Sequence, residues 1–396
     1  ISLIYGIYGS SRKWVVHPKV NYPGSRVFMI IPIKPWLDLI EGCEATTLAN
    51  YGFRSTPHDV ALSADAEIDE LRRAAGWALP SSENNAWGDR MEFYHEPILA
   101  NEILEAMQPI KGRQIFDGTL GGGGHAEVFL QHGAHVVGCD QDEDALAYAS
   151  RRLSRFGDQF LPVRGNFAEM NSLLDSHGIE HVDGIVLDLG VSSHQLDDAA
   201  RGFSFRQDGP LDMRMDHRGG LKAEDLVNDL SEGELTRIFW EFGEERKAVR
   251  AARGIVRARK GARLTSTLQL AEVLEEVLPR VSGKHPATRV FQALRIAVNR
   301  ELECLELALE RSVEALSENG VLAVISFHSL EDRIVKHFMR RRSSPFLDRP
   351  EWPEPRENPE YCLNLPVRRA IVPSDVEVKN NPRARSAKLR LATKVS

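Results

Sequence analysis

Four consecutive glycines, Gly121 to Gly124, follow the short apolar run Ile115-Phe116 with its acidic stop Asp117, and they precede His125 and a helical pattern. No other stretch narrows the possible folds as much. A buried strand that passes through a glycine turn into a helix brings bare backbone N–H groups to a helix N-terminus, where a nucleotide-like ligand can approach without meeting side chains. Gly121, Gly123 and Ala126 also satisfy a loose dinucleotide-binding pattern, and a plain glycine-rich turn would look the same taken alone.

The next segments decide between these readings. A second apolar strand, His135 to Cys139, closes on Asp140. An acid one βα unit beyond the glycines can accept both hydroxyls of a ribose, although a helix N-cap would use the same residue type. A helix over about Asp142 to Phe156 leads to a strand Phe160 to Arg164 and the turn Gly165-Asn166-Phe167; the strand Asp183 to Leu187 then ends in Asp188-Leu189-Gly190-Val191-Ser192-Ser193. Strands alternating with helices predict an α/β fold with a parallel sheet covered on both faces. Ligands of such sheets bind at the carboxyl ends of the strands. Asp117, Asp140, Phe167 and Asp188 all fall on that edge.

Composition sets the outer bounds. With 42% hydrophobic and 27% charged residues in 396, the chain reads as an ordinary globular protein with room for two or more domains. The formal charge of −7 argues against nucleic-acid binding over the whole surface, but the basic residues lie in blocks. Cys43, Cys139, Cys304 and Cys362 lack metal-site or disulfide-framework spacing, so no metal and a reducing cytoplasm are expected. No apolar run approaches the roughly 18 residues of a membrane span.

Before the glycine strand, Tyr94-His95-Glu96-Pro97 leads into a helix over Ile98 to Met107. Beyond Gln195 the βα rhythm stops. Ordered loops rich in turn residues give way to helices over Leu226 to Phe242 and Leu268 to Leu278, so a helical insertion is expected over 196–286. Its block Arg246-Lys247, Arg250, Arg253, Arg257, Arg259, Lys260 and Arg263 has no acid inside it, and suits either a solvated helix face or a phosphate-binding face. A long helix from Thr288 to Asn319, a strand Val321 to Phe327 and a capping-box spacing of Ser329 with Asp332 return the chain to the sheet, and strand-like pieces near Val367 to Val372 and Ala387 to Thr393 close it.

Many words from about His95 to Lys394 are long enough to compare with known families. They include Asp117-Gly-Thr-Leu-Gly-Gly-Gly-Gly-His125, Asp188-Leu-Gly-Val-Ser-Ser193, Asp208-Gly-Pro-Leu-Asp-Met-Arg-Met-Asp216, His285-Pro-Ala-Thr-Arg289, Ser326-Phe-His-Ser-Leu-Glu-Asp-Arg333 and Asn381-Pro-Arg-Ala-Arg-Ser386. In these the chain resembles the MraW-type ribosomal small-subunit RNA methyltransferases. The resemblance implies a Rossmann-like class I S-adenosylmethionine-dependent methyltransferase sheet with an inserted helical domain. It implies methyl transfer to N4 of a cytidine in the decoding region of 16S RNA within the small subunit, and it leaves a homodimer open. The family's cofactor positions carry over to Gly123, Gly124 and His125 on the loop, Asp140 for the ribose, Phe167 beside the adenine, and Asp188 and Gln195 near the methionine end.

Catalysis is expected at Asp188 and the carbonyls of Leu189, Gly190 and Val191, as acceptors for the cytosine amino protons. The proline pair and aromatic that related amino-methyltransferases keep there are missing, so Phe203, Phe205 or Phe327 must stack on the base. Arg289 and Arg295 are expected on RNA phosphates and His328 near the RNA; a salt-bridged arginine and a structural histidine are the ordinary alternatives. His194 stands where the family usually has proline, and a single Cys362 replaces a late cysteine pair. On this reading the methyltransferase domain comprises 91–195 and 287–396 with a basic tail, and 1–90 is either a separate small domain or sequence foreign to the working enzyme. A nicotinamide-dependent dehydrogenase would account for the glycines and Asp140 but leaves the basic insertion unexplained. A non-catalytic RNA-binding assembly factor is the other alternative.

Overall fold

The computed structural model describes residues 97–280, 283, 285–348 and 351–395, and the backbone of strands β1 (Ile4–Tyr8), β2 (Arg12–Pro18) and β3 (Phe28–Pro32). The chain divides into two compact units, 1–89 and 90–396. In the first, β1, β2 and β3 form an antiparallel sheet. The Tyr94-His95-Glu96 lead-in lies outside the described residues.

The second unit follows the alternation in the sequence. Helix α1 (Ala100–Ala106) precedes β4 (Gln114–Asp117), α2 (Gly124–Gln131), β5 (His135–Asp140), α3 (Glu143–Leu153), β6 (Phe160–Arg164), α4 (Met170–Asp175) and β7 (Val182–Asp188). After a helical stretch come β8 (Leu316–Ser326) and, later, the short β9 (Phe346–Leu347), β10 (Arg356–Glu357) and β11 (Leu363–Asn364), then β12 (Lys388–Lys394). The main sheet has the order β11-β12-β8-β7-β4-β5-β6, with β4 to β8 parallel and β12 antiparallel to β8.

Strands buried on both faces read as continuous apolar runs, and Ile185 to Leu187 and Val321 to Ile325 do so. One core, with Ile115, Phe129, Val136 and Leu153, lies under α1 to α3; another, with Phe116, Leu174, Leu187 and Val324, lies on the opposite face. From β4 the chain goes first to β5 and β6 on one side and later to β7 and β8 on the other. That reversal opens a crevice at the carboxyl ends of β4 and β7, the place where an α/β sheet binds its ligand.

The helical insertion keeps a core of its own. Helices α5 (Ser193–Asp197), α6 (Ala223–Asp229), α7 (Glu232–Glu241), α8 (Ala248–Ala258), α9 (Thr267–Val277) and α10 (Thr288–Asn299) follow β7. Leu235, Phe239, Ile255 and Leu274 pack with Phe291 and Leu294 of α10, so the helical layer runs on past the expected boundary at 286. The helix expected over Leu226 to Phe242 is two helices: Ser231 accepts the Glu234 N–H, and the Glu234 carboxylate accepts the Ser231 N–H, a reciprocal cap that starts α7 afresh. The long helix expected to Asn319 also breaks. Arg300, at φ +51°, separates α10 from α11 (Glu301–Ala315), and β8 begins at Leu316.

The basic block resolves into an amphipathic helix. On α8, Ala251, Ala252 and Ile255 are buried while Arg250, Arg253 and Arg257 are exposed. After β8, α12 (Ser329–Arg342) is capped by His328 with Glu331, one residue earlier than the expected Ser329 with Asp332. Helix α13 (Asp375–Asn380) precedes β12, whose Lys388 and Arg390 both pair with Asp332. Among the described residues no helix is long and apolar enough to cross a membrane.

Candidate active site

The loop after β4 is shaped by backbone conformations that only glycine adopts freely. Gly118 passes so close to its neighbours that a Cβ would sit 2.6 Å from Leu187 Cδ2 and 2.9 Å from Phe167 Cβ. Gly123, the N-cap of α2, has φ +77°, and a Cβ there would lie 2.9 Å from Leu153 Cδ1. Gly123 therefore seats the loop against α3, and the cavity is lined instead by Gly118, Gly121, Gly122 and Gly124. The register of the glycines along the turn, which the sequence does not display, decides which of them faces outward.

Around that loop the strand ends converge as expected. Asp140 and Gln141 after β5, Asn166 and Phe167 after β6, and Asp188 to Ser192 with Gln195 after β7 all line one cavity with His125. Asp140 accepts the N–H of Gly121 through Oδ2 at 2.8 Å and that of Asp142 through Oδ1 at 2.9 Å. Each carboxylate oxygen has a second lone pair, so Asp140 fixes the loop and still has acceptor capacity for hydroxyls. Burial pushes its carboxyl up to about 6 against the pull of these backbone hydrogen bonds.

Gln195 is 5% exposed, with its amide tied at both ends: Oε1 accepts the Ser192 N–H and Nε2 donates to Asp142. Asp142 also faces the buried guanidinium of Arg201 at 2.7 Å. Gln195 thus holds the Asp188 to Ser192 segment in place over the cavity.

The charged centre joins the buried Asp117 and His125 to the partly exposed Asp188. His125 Nε2 lies 3.6 Å from Asp188 Oδ2, close enough for attraction but too long for a hydrogen bond. Both imidazole nitrogens, Asp188 Oδ1 and Asp117 Oδ2 are buried without hydrogen-bond partners. Burial opposes charging of His125, yet Asp188 and Asp117 outweigh it and raise its pKa. Burial lifts Asp117 to about 6, with His125 and the Thr119 N–H opposing. Each unpartnered buried group costs on the order of 1–3 kcal/mol. A fold that keeps several of them in one cavity is arranged for a polar, charged ligand.

This set fits an S-adenosyl cofactor. Bare loop amides, an acceptor carboxylate at Asp140 and an aromatic wall at Phe167 suit an adenosine, and the acidic Asp188 suits a cationic sulfur.

The RNA-facing expectations divide. Phe203 is buried in the helical core, with the Arg201 guanidinium 5.9 Å from its ring, and cannot stack on a base. Phe205 packs between His285 and Phe291, at centroid distances of 4.6 and 4.8 Å, in the same core. Phe327 alone of the three lines the cavity. Arg295, 16% exposed, grips Glu301 through two hydrogen bonds of 2.8 Å, so it is committed inside the protein and does not reach for phosphate. Arg289 is half-exposed on α10 and donates to the Glu244 carbonyl.

His328 is a cap. Its Nδ1 accepts the Glu331 N–H, and its Nε2 lies 3.1 Å from Glu331 Oε1 at an angle short of a good hydrogen bond. Burial alone would raise Glu331, but His328, Arg295 and the Phe327 N–H hold it below the usual carboxylate range. Glu301, His328 and Glu331 bring ligand-type atoms within 4.8 Å of one another, and Arg295 pairs with Glu301.

Several lining residues carried no role in the sequence. Glu301 and Glu331 are two; Asn381 and Arg383 are two more, from the basic word near the C-terminus. Arg383 pairs with Asp197 at 2.6 Å, while its Nη1 is buried without a partner. The word itself was visible. Its position beside β7 depends on β12 folding back along β8, which spacing alone does not reveal.

Comparison with known proteins agrees with this geometry. The model of the MraW methylase family matches residues 92–395. The chain is 48% identical over 309 residues to "Ribosomal RNA small subunit methyltransferase H" of Carboxydothermus hydrogenoformans, covering 77% of this chain and 99% of that protein. It is 49% identical over 310 residues to the protein of the same name from Trichlorobacter lovleyi, with the same coverages, and 49% identical over 311 residues to that of Geobacter sulfurreducens, covering all of the latter. With a match across nearly the whole 90–396 unit and relatives at this identity, the chain belongs to the MraW methylase family.

Proposed function

We infer that the protein transfers the methyl group of S-adenosylmethionine to the N4 amino group of a cytidine in 16S RNA of the small ribosomal subunit. S-Adenosylmethionine dependence and ribosomal RNA as substrate class follow from the family and from the names of its relatives. The cytidine N4 position is supported by the acceptors at the end of β7. Asp188 Oδ1, buried and unpartnered beside His125, is the observation that carries this reading.

When bound, the cofactor supplies an electrophilic methyl group on a positively charged sulfur. The protein's task is alignment: nucleophile, methyl carbon and leaving sulfur must be collinear at near-attack distance. Cytosine N4 is a weak nucleophile because its lone pair is delocalised into the ring. Acceptors that hold its two N–H bonds return electron density to nitrogen, and one of those protons must leave as the N–C bond forms. Asp188 and the carbonyls of Leu189, Gly190 and Val191 line the cavity at this point and are assigned that role. Phe327, which lines the cavity close to Gly190, is assigned to stack on the base. A base inside a helix cannot present its amino group to such a cavity, so the target must be unstacked or single-stranded.

The test uses methyl-labelled S-adenosylmethionine with unmethylated small subunits and with naked 16S RNA, followed by digestion to nucleosides. Label in N4-methylcytidine is expected. Label in another nucleoside, or in none, contradicts the assignment.

A further inference from the structure

The first turn of α12 separates two concave surfaces. Glu331 lines the active cavity, while its neighbour Leu330 and Arg333, one turn on, line an open groove of about 540 Å³ together with Trp240, Glu241, Glu244, Arg246 and Arg289. That volume is in the range of small-molecule sites. Trp240 projects from α7 with 59% of its surface exposed, although the opposite face of the same helix buries Leu235 and Phe239. An isolated exposed aromatic needs no explanation. Here it stands among three guanidinium groups.

The groove is also ordered. Glu244 accepts from Ser329 Oγ at 2.5 Å and from Arg333 Nη2 at 3.1 Å, and its carbonyl accepts from Arg289 Nη1 at 3.2 Å. One loop residue thereby ties α10 to α12 and fixes two of the arginines. Arg246 is exposed on the same side.

An aromatic face with guanidinium groups around it matches single-stranded RNA, in which an unstacked base lies on an aromatic ring and phosphates meet arginine. An acidic peptide fits less well, because it brings anions for the arginines but no flat base to lie on the exposed Trp240 ring. A base instead offers amino donors that carboxylates accept.

We propose that this groove binds an unstacked nucleotide flanking the target cytidine, its base on the Trp240 indole and its phosphates on Arg246 and Arg289. The proposal rests on the reading that ribosomal RNA is the substrate. It adds a second contact point outside the catalytic cavity, from which the neighbouring nucleotide helps to hold the target in register.

The test compares the full-length wild type with Trp240→Ala, Trp240→Phe and Arg246→Ala. The readouts are the dissociation constant for unmethylated small subunits at several salt concentrations, S-adenosylhomocysteine affinity by calorimetry, and ultraviolet cross-linking of the complex with peptide mapping. Trp240→Ala should weaken particle binding about tenfold, and Trp240→Phe by no more than about threefold, since stacking survives in a smaller ring. Both should leave cofactor affinity unchanged. Arg246→Ala should flatten the slope of log affinity against log salt by about one. The peptide containing Trp240 should carry a nucleotide. Wild-type particle affinity in Trp240→Ala, or a cross-link from Trp240 only to a ribosomal protein, would overturn the groove assignment while methyl transfer by the wild type still stood. Failure of the wild type to methylate the RNA at all would instead overturn the underlying reading.

Discussion

At the scale of single residues, the cavity is built from carboxylates whose charge is costly to keep. Asp140 titrates at about 6 because burial outweighs the amides it accepts. Ionised, it can accept ribose hydroxyls; protonated, it loses acceptor capacity and releases part of its hold on Gly121. S-Adenosylhomocysteine affinity measured by calorimetry should therefore fall as pH drops through about 6. Asp140→Asn should bind weakly and lose the share of that pH dependence that Asp140 carries, with Asp117 and His125 still titrating nearby. Stability runs the other way. A carboxyl whose folded pKa lies above its unfolded value takes up protons on folding between the two, so its contribution to stability is greatest at low pH and is lost as pH rises through about 6. Comparing ligand-free melting of wild type and Asp140→Asn across pH 4 to 7 should show this opposite slope. Asp188 makes a different prediction: Asp188→Ala should lower kcat by about a hundredfold or more, while changing cofactor affinity only a few-fold.

Position at strand ends was enough to place Asp140, Phe167 and Asp188 on the sheet's carboxyl edge from the sequence, whereas Gln195 and His125 came only with the family resemblance. What the sequence concealed was where each side chain points. Phe203 and Phe205 occupy a loop-like word rich in turn residues, yet they anchor the helical core. Arg295 follows the same helical period as an exposed cation would, and only the return of the chain at Arg300 brings Glu301 against it.

Among the elements, the decisive one is the turn between β4 and α2. Four glycines in a row were legible as a turn; that Gly123 packs against Leu153 was not. Gly123→Ala forces a left-handed conformation on an L side chain and drives its methyl into Leu153. It should destabilise the protein by about 1–3 kcal/mol in denaturant unfolding, even with cofactor omitted. A loop that merely touched ligand would show no such loss. The helix breaks tell the same story from two sides. Ser231 with Glu234 is a capping box within an apolar pattern that continues across it, so periodicity masks the break. Arg300 carries no sequence signal for a positive φ, since any residue there is uncommon.

For the whole molecule, the 90–396 unit holds the three hydrophobic clusters found among the described residues, the seven-stranded sheet and the cavity. Residues 1–91 lie outside the family match, and no motif in them attaches to the chemistry. A chain comprising only 90–396 should therefore bind S-adenosylhomocysteine within about threefold of the full chain by calorimetry. A larger loss would give the leading segment a part in the site. The alternation of strand and helix made a parallel sheet legible, but not its order β11-β12-β8-β7-β4-β5-β6. The antiparallel return of β12, which delivers Asn381 and Arg383 to the cavity, depends on long-range pairing that local patterns do not record.

The most direct measurement is a crystal structure of the full chain grown with S-adenosylhomocysteine and cytidine. The adenosine should lie between Asp140 and Phe167, with its sulfur toward the segment from Asp188 to Val191 and the cytidine amino group about 3 Å from an Asp188 oxygen. An adenosine bound away from the glycine turn, or a cytidine whose amino group faces away from Asp188, would contradict the account.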